Sequence, residues 1–378
     1  MADGTAGIAI ALATAEAGEE VVQQLLTESA RGLGASGHND FSLFHGSGGL
    51  LAAVKLAGRG GQKYERAERA LTAAMCARVD TVCAVADEQI ASGEGMEGSV
   101  HDLVSGVTGW AAALSLIADP VADLAVQRLL KTLVDLVRRD GDGFPMYTGP
   151  AFLVETARLR APSGHIDCGV AHGVSGTVGL LAAIGPRYRA SLTDLEPVLA
   201  DAAGWLSALL TPGARGPRPP ARLGLRGETS LPTPPEDVPA AWCYGAAGMA
   251  RAVWLAGRAL DDRRLRDSAV HALSDLHLPA GHRLREASLC HGLAGLLMIT
   301  WLVAQESGDS RLRRSAISLL DQLLDSYDEE SVLGYRTVRA GVEFNDPGFI
   351  SGTAGILALF NAVNSGRPPG WGRLLAVC

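Results

Sequence analysis

The chain has 378 residues, 47% of them hydrophobic and 20% charged, enough to bury a large core as one big domain or two ordinary ones. Its formal net charge is −8, and no cluster of Lys and Arg recurs along one helical face, which argues against a nucleic-acid partner. No apolar run reaches the roughly 18 to 20 uncharged residues of a membrane span. The six cysteines, Cys76, Cys83, Cys168, Cys243, Cys290 and Cys378, are too sparse for a disulfide framework and read as free thiols or ligands.

No basic residue precedes Arg31, so the apolar stretch near Ile8 lacks the charged flank of a signal peptide, and the expected location is the cytoplasm. From there a Gly-x-x-Gly step followed by an apolar run recurs along the chain. The copies are His45-Gly46-Ser47-Gly48-Gly49, Ser105-Gly106-Val107-Thr108-Gly109, His172-Gly173-Val174-Ser175-Gly176, Tyr244-Gly245-Ala246-Ala247-Gly248, His291-Gly292-Leu293-Ala294-Gly295 and Ser351-Gly352-Thr353-Ala354-Gly355. Gly4-Thr5-Ala6-Gly7, ahead of Ile8-Ala9-Ile10, resembles the last copy and is a candidate seventh. The first glycines of the six clear copies are separated by 60, 67, 72, 47 and 60 residues.

Each copy leads into a run with scarcely a charge, such as Leu296-Leu297-Met298-Ile299-Thr300-Trp301-Leu302, and a helix apolar all round must be buried. Between them, Lys63 to Ile90, Val121 to Arg139, Asp262 to Leu276 and Arg311 to Asp325 alternate apolar and charged positions at helical spacing, as outer helices with one wet face do. Buried and amphipathic helices alternating on a period near 60 residues predict helical hairpins in a closed ring, an all-α, α/α toroid occupying residues 1–378 as one domain. Thr211 to Ala240 holds eight prolines and is expected to be a loop, placed as a lid or a peptide-contacting segment.

Because repeat copies are structurally equivalent, residues at one offset from the first glycine belong at one height in the ring. One residue ahead stand His45, Ser105, His172, Tyr244, His291 and Ser351; two ahead stand Phe44, Val104, Ala171, Cys243, Cys290 and Ile350. Cys243, Cys290 and His291 thereby form a two-sulfur, one-nitrogen set that suits zinc with a fourth position left for substrate. His172 shares the offset of His291 without a cysteine before it, which makes it a candidate acid or base near the metal. Asp102 reads first as a helix cap. The other cysteines have no partner in register, and Cys378 is expected in a frayed terminus.

The motifs Trp242-Cys243-Tyr244-Gly245, Cys290-His291-Gly292, Ala171-His172-Gly173 and Asp102-Leu103-Val104-Ser105-Gly106 resemble those of the lanthionine synthetase C-like cyclases over about Phe44 to Phe360. The resemblance implies a toroid of seven inner and seven outer helices that uses zinc to join cysteine thiols to dehydrated serines or threonines of a precursor peptide. It implies Cys243, Cys290 and His291 as zinc ligands, His172 and Asp102 as the acid/base pair, and Tyr244 beside the metal as a further catalytic residue. It also raises a lanthipeptide dehydratase as a partner. One departure stands out: members often carry an arginine shortly upstream of Trp-Cys-Tyr-Gly, where this chain has Val238-Pro239-Ala240-Ala241. Two rival readings are a zinc-dependent prenyltransferase-type enzyme, for which 5% aromatic residues is a poor lining, and a non-catalytic relative that binds glutathione or a peptide.

Overall fold

The computed structural model describes all residues except 3, 36–39, 60, 62, 142, 212–215, 226–239, 277–285 and 340–341, together with the side chains of 35 and 339. Helices α1 (Thr5–Thr14), α2 (Glu19–Ala35), α3 (Ser47–Ala57), α4 (Glu65–Cys76), α5 (Val79–Ser92) and the one-turn α6 (Gly98–His101) lead to α7 (Val107–Leu114) and α8 (Pro120–Leu136). The one-turn α9 (Glu155–Arg158), α10 (Val174–Ile184), α11 (Leu195–Leu209), α12 (Ala246–Ala259), α13 (Arg263–Ser274), α14 (Leu293–Ser307), α15 (Ser310–Asp325) and α16 (Thr353–Ser365) follow. Two short antiparallel pairs complete the order: β1 (His165–Asp167) with β2 (Arg222–Gly224), and β3 (Thr337–Arg339) with β4 (Val342–Phe344).

Every Gly-x-x-Gly step opens an inner helix. α1, α3, α7, α10, α12, α14 and α16 each pack on the next, and α16 returns to α1, so the ring closes. The inner helices are apolar on nearly every face: Leu297, Met298, Ile299 and Leu302 of α14 are all at most 1% exposed, each worth roughly 1.5–3 kcal/mol of burial. Outside them α2, α4, α5, α8, α11, α13 and α15 keep one wet face. Asp119, Asp262 and Asp309 cap α8, α13 and α15, each accepting two backbone N–H groups of the first turn. The double ring expected from the period is thus the architecture found. It is not strictly alternating, since α4 and α5 both lie between α3 and α7.

The second glycine of each step is required by close approach. A Cβ at Gly248 would lie 2.2 Å from Trp242 O, and one at Gly295 would lie 2.1 Å from Leu289 O. The loop six residues back packs directly on the first helical turn. Gly7 meets Met1 O in the same way, at 2.1 Å, which makes Gly4 to Gly7 a true seventh copy.

Two expectations are modified. Within the proline-rich stretch, 212–215 and 226–239 lie outside the described residues, but Arg222–Gly224, in the gap between Pro220 and Pro232, forms β2 and pairs with β1. The C-terminal segment is not frayed. A 3₁₀ turn at Gly370–Leu375 tucks inward, where Leu375 O accepts from Trp242 Nε1 (2.9 Å) and Val377 O accepts from Arg251 Nε (2.7 Å). Arg251 also makes a bidentate pair with Glu306, at 2.8 Å for both bonds, which ties α12 to α14.

Candidate metal centre

At one end of the toroid the loops ahead of the inner helices are joined by a belt of backbone hydrogen bonds. The N–H of Ala2 donates to Phe44 O at 3.1 Å, that of Phe44 to Val104 at 3.1 Å, that of Leu103 to Ala171 at 3.1 Å, and that of Val170 to Cys243 at 2.9 Å. Cys243 then donates to Cys290 at 3.2 Å, Cys290 to Ile350 at 3.0 Å, and Ile350 to Ala2 at 3.1 Å, closing the circle. Each acceptor stands two residues ahead of the first glycine of its copy. Residues far apart in sequence therefore become neighbours: Cys243 and Cys290 are adjacent in the belt, and the Leu103–Ala171 bond sets Asp102 beside His172.

Cys243, Cys290 and His291 come together as the sequence predicts, with one ligand atom from each lying within 4.8 Å of the others, all three half-buried. Gly245, between Tyr244 and α12, has φ +109°, a conformation that L side chains rarely adopt, and this turn aims the Cys243 loop into the ring. His291 Nε2 lies 2.7 Å from Glu286 Oε2, which leaves Nδ1 as the nitrogen for a metal. A carboxylate behind a ligating imidazole fixes its orientation and raises its basicity. The Cys243 thiol is lowered from its ordinary pKa first by its bond from Cys290 and then by His291, while His291 is raised first by Cys243 and then by Glu286. The group already favours a deprotonated sulfur, the form a metal binds. Two soft sulfurs, one nitrogen and a supporting carboxylate fit zinc, and among the described residues no fourth Cys, His, Asp or Glu joins the group.

Beside this group, His172 Nδ1 lies 2.7 Å from Asp102 Oδ2. Asp102 is 4% exposed, and its other oxygen accepts from the backbone N–H of Ser105 (2.6 Å) and Gly106 (3.0 Å). The capping role read from sequence and the pairing with His172 thus coexist, one oxygen each. The bond to Asp102 raises the His172 pKa against the opposing effect of burial. Tyr244 places its ring 6.4 Å from that of His172, and its hydroxyl donates to Asp167 Oδ2 at 2.8 Å. Burial first, then Asp167, raises the phenol pKa, so Tyr244 stays protonated. His45 stands in the belt but is exposed to solvent, and Cys83 and Cys168 are buried thiols whose pKa burial pushes up.

Three residues of the site were not read from the sequence: Asp167, Arg222 and Glu286. A signal was present. Asp40, Asp167, Glu286 and Asp346 each stand six residues ahead of a first glycine. Asp40, Asp167 and Asp346 each use one oxygen to accept the N–H two residues on, at 2.7, 2.9 and 2.7 Å, building the turn before the glycine. Asp167 and Glu286 turn the other oxygen toward the site. Arg222 enters from β2, directly across the ladder from Asp167, with Nε 3.2 Å from Asp167 Oδ2. Glu286→Gln is expected to keep the fold and weaken metal affinity about 10- to 100-fold, measurable by competition with a zinc-chelating dye.

The sequence matches the family described as "Lanthionine synthetase C-like protein" over residues 1–375. No curated protein matches it. Among solved structures it is similar to one titled "Nisin cyclase", with a TM-score of 0.76 at 20% identity, covering 100% of this chain and 91% of that one. At that identity the likeness speaks for the fold, a helical toroid, while the family match spans nearly the whole sequence. The chain belongs to the lanthionine synthetase C-like family.

Proposed function

We propose that this protein is a zinc-dependent lanthipeptide cyclase, which adds cysteine thiols to dehydroalanine or dehydrobutyrine in a dehydrated precursor peptide to form lanthionine and methyllanthionine rings. The observation that carries the reading is the half-exposed group of Cys243, Cys290 and His291 beside a carboxylate-paired imidazole. Similarity to a nisin cyclase supports it. Zinc held by these three residues would supply a Lewis acid that lowers the pKa of a thiol, about 8.5 when free, so that the thiol would give its proton to solvent and act as a nucleophile at neutral pH.

The protein's own groups do the rest. The Cys243 and Cys290 thiolates would offset the metal's charge and so leave a substrate sulfur reactive. Glu286 keeps His291 in its ligating orientation. As sulfur bonds to the β-carbon, the C=C electron pair moves to the α-carbon and its carbonyl. His172, 44% exposed and held by Asp102, gives its proton to the α-carbon. Thiol plus alkene becomes thioether, with nothing released.

Because Asp102 raises the His172 pKa, the acid form persists to higher pH than a free imidazole allows, and cyclisation should fall as pH rises through that raised value. Asp102→Asn removes the main raising influence. Its rate should drop, and its alkaline limb should move to lower pH. Its melting temperature should change little, since Asn can still accept the Ser105 and Gly106 N–H groups. The limb is read from a pH–rate profile.

The function itself is tested by incubating the zinc-loaded protein with a dehydrated cysteine-containing peptide, alkylating free thiols and weighing the product. Thiols lost to alkylation without any change in peptide mass are the expected result. Thiols that all remain alkylable at full zinc occupancy would leave a binding role instead.

A further inference from the structure

Among the described residues near the metal group, Arg222 is a cation held on one edge only, with capacity left for a ligand. Its Nε is held by Asp167, a carboxylate 6% exposed, and its Nη2 lies 3.5 Å from the Tyr244 hydroxyl. Asp167 is itself fixed by the Gly169 N–H (2.9 Å) and the Tyr244 O–H (2.8 Å), so the guanidinium rests on a rigid base. Its central carbon sits 5.8 Å from the centroid of the Tyr244 ring, next in sequence to Cys243. Among the described residues Nη1 has no protein acceptor, and the side chain is 45% exposed. The charge of Arg222 opposes protonation of His172, so the two groups share one neighbourhood.

A guanidinium anchored through one edge presents its remaining N–H donors as a fixed fork, suited to an oxygen that gains negative charge. The proposed reaction generates such an oxygen. When sulfur adds to the β-carbon, the displaced pair is shared between the α-carbon and the carbonyl oxygen of the acceptor residue, until His172 protonates the carbon.

We propose that Arg222, braced by Asp167 and Tyr244, binds the carbonyl oxygen of the dehydrated residue and stabilises the charge that develops there. This rests on the cyclase reading above and adds to it the group that receives the acceptor end of the substrate. It also places a catalytic cation on the β1–β2 pair, which no Gly-x-x-Gly loop supplies.

The test uses the full zinc-loaded chain with Arg222→Gln and Arg222→Lys. Zinc content, circular dichroism, kcat and KM are measured on a dehydrated peptide, and peptide binding to the zinc-free proteins is measured by calorimetry. Arg222→Gln should retain zinc and helicity and lose about 100-fold or more in kcat with a smaller change in KM, the scale of removing one oxyanion donor. Arg222→Lys should recover part of that loss, keeping charge without the fork. Unchanged kcat in Arg222→Gln would overturn the proposal. So would a rise in KM alone, which would mean peptide docking only, or loss of zinc or helix in both variants, which would make Arg222 structural. If the wild-type protein forms no thioether, the cyclase reading is what fails. Calorimetry then decides separately: weaker binding of the dehydrated peptide, but not of its serine counterpart, in Arg222→Gln supports recognition of the acceptor residue, and equal loss for both rejects it.

Discussion

Replacing Cys290 with alanine is expected to strip most of the metal from the purified protein and abolish ring formation, while leaving the helical circular dichroism in place. The loss follows from coordination: a site of three protein ligands that forfeits one keeps only two protein bonds. Cys243→Ala and His291→Ala should behave alike, because the belt bond between Cys243 and Cys290 and the side chain of His291 bring three candidate ligand groups to one point. Retention of helix follows from the core. The inner helices are buried against one another through residues such as Leu51, Leu114, Leu181 and Ile299, all fully buried and none in the metal group. Metal analysis beside circular dichroism checks both halves. Full zinc in Cys290→Ala would sink the assignment, and collapse of the helical signal on chelation would make the metal structural.

His172→Asn is the second large effect. Zinc content should be unchanged, since His172 is outside the metal group, yet cyclisation should slow by roughly two to four orders of magnitude, the range for losing a positioned proton donor. Asparagine can hold a hydrogen bond to Asp102 but cannot deliver a proton. The side chain is 44% exposed at the same end of the ring as the thiols, so the substitution should cost little stability. Undiminished turnover at unchanged zinc occupancy would return His172 to a packing role.

The ring architecture was legible because its physical cause is local and repeated. A close approach that forbids a Cβ writes glycine into every copy, and an all-round buried helix writes an apolar run after it. The metal group was legible because register converts sequence offset into height: Cys243, Cys290 and His291 stand at matching places ahead of Gly245 and Gly292, and the family resemblance pointed to the same three. Arg222 was hidden for the opposite reason. It belongs to no copy, and its place depends on a three-residue strand pairing with β1 across 55 residues of sequence. Glu286 and Asp167 were half-legible. Their six-residue offset marks the turn that one oxygen builds, as in Asp40 and Asp346, but nothing in the offset says that the second oxygen reaches His291 or Tyr244. For Asp102 the cap and the pairing with His172 were both read, but as separate readings; that they coexist, one oxygen each, was not. The inward tuck of Gly370–Leu375 depends on Trp242 and Arg251, far from it in sequence, and no local pattern announces it.

The proposed reaction requires a metal held by three residues of this chain and open on its fourth side. Zinc-edge X-ray absorption of the purified protein addresses that directly. The expected spectrum contains two sulfurs at about 2.3 Å, one imidazole nitrogen and one further light atom from solvent. A spectrum with four protein ligands, whether a third cysteine or a second histidine completes the set, or one without sulfur, would contradict it.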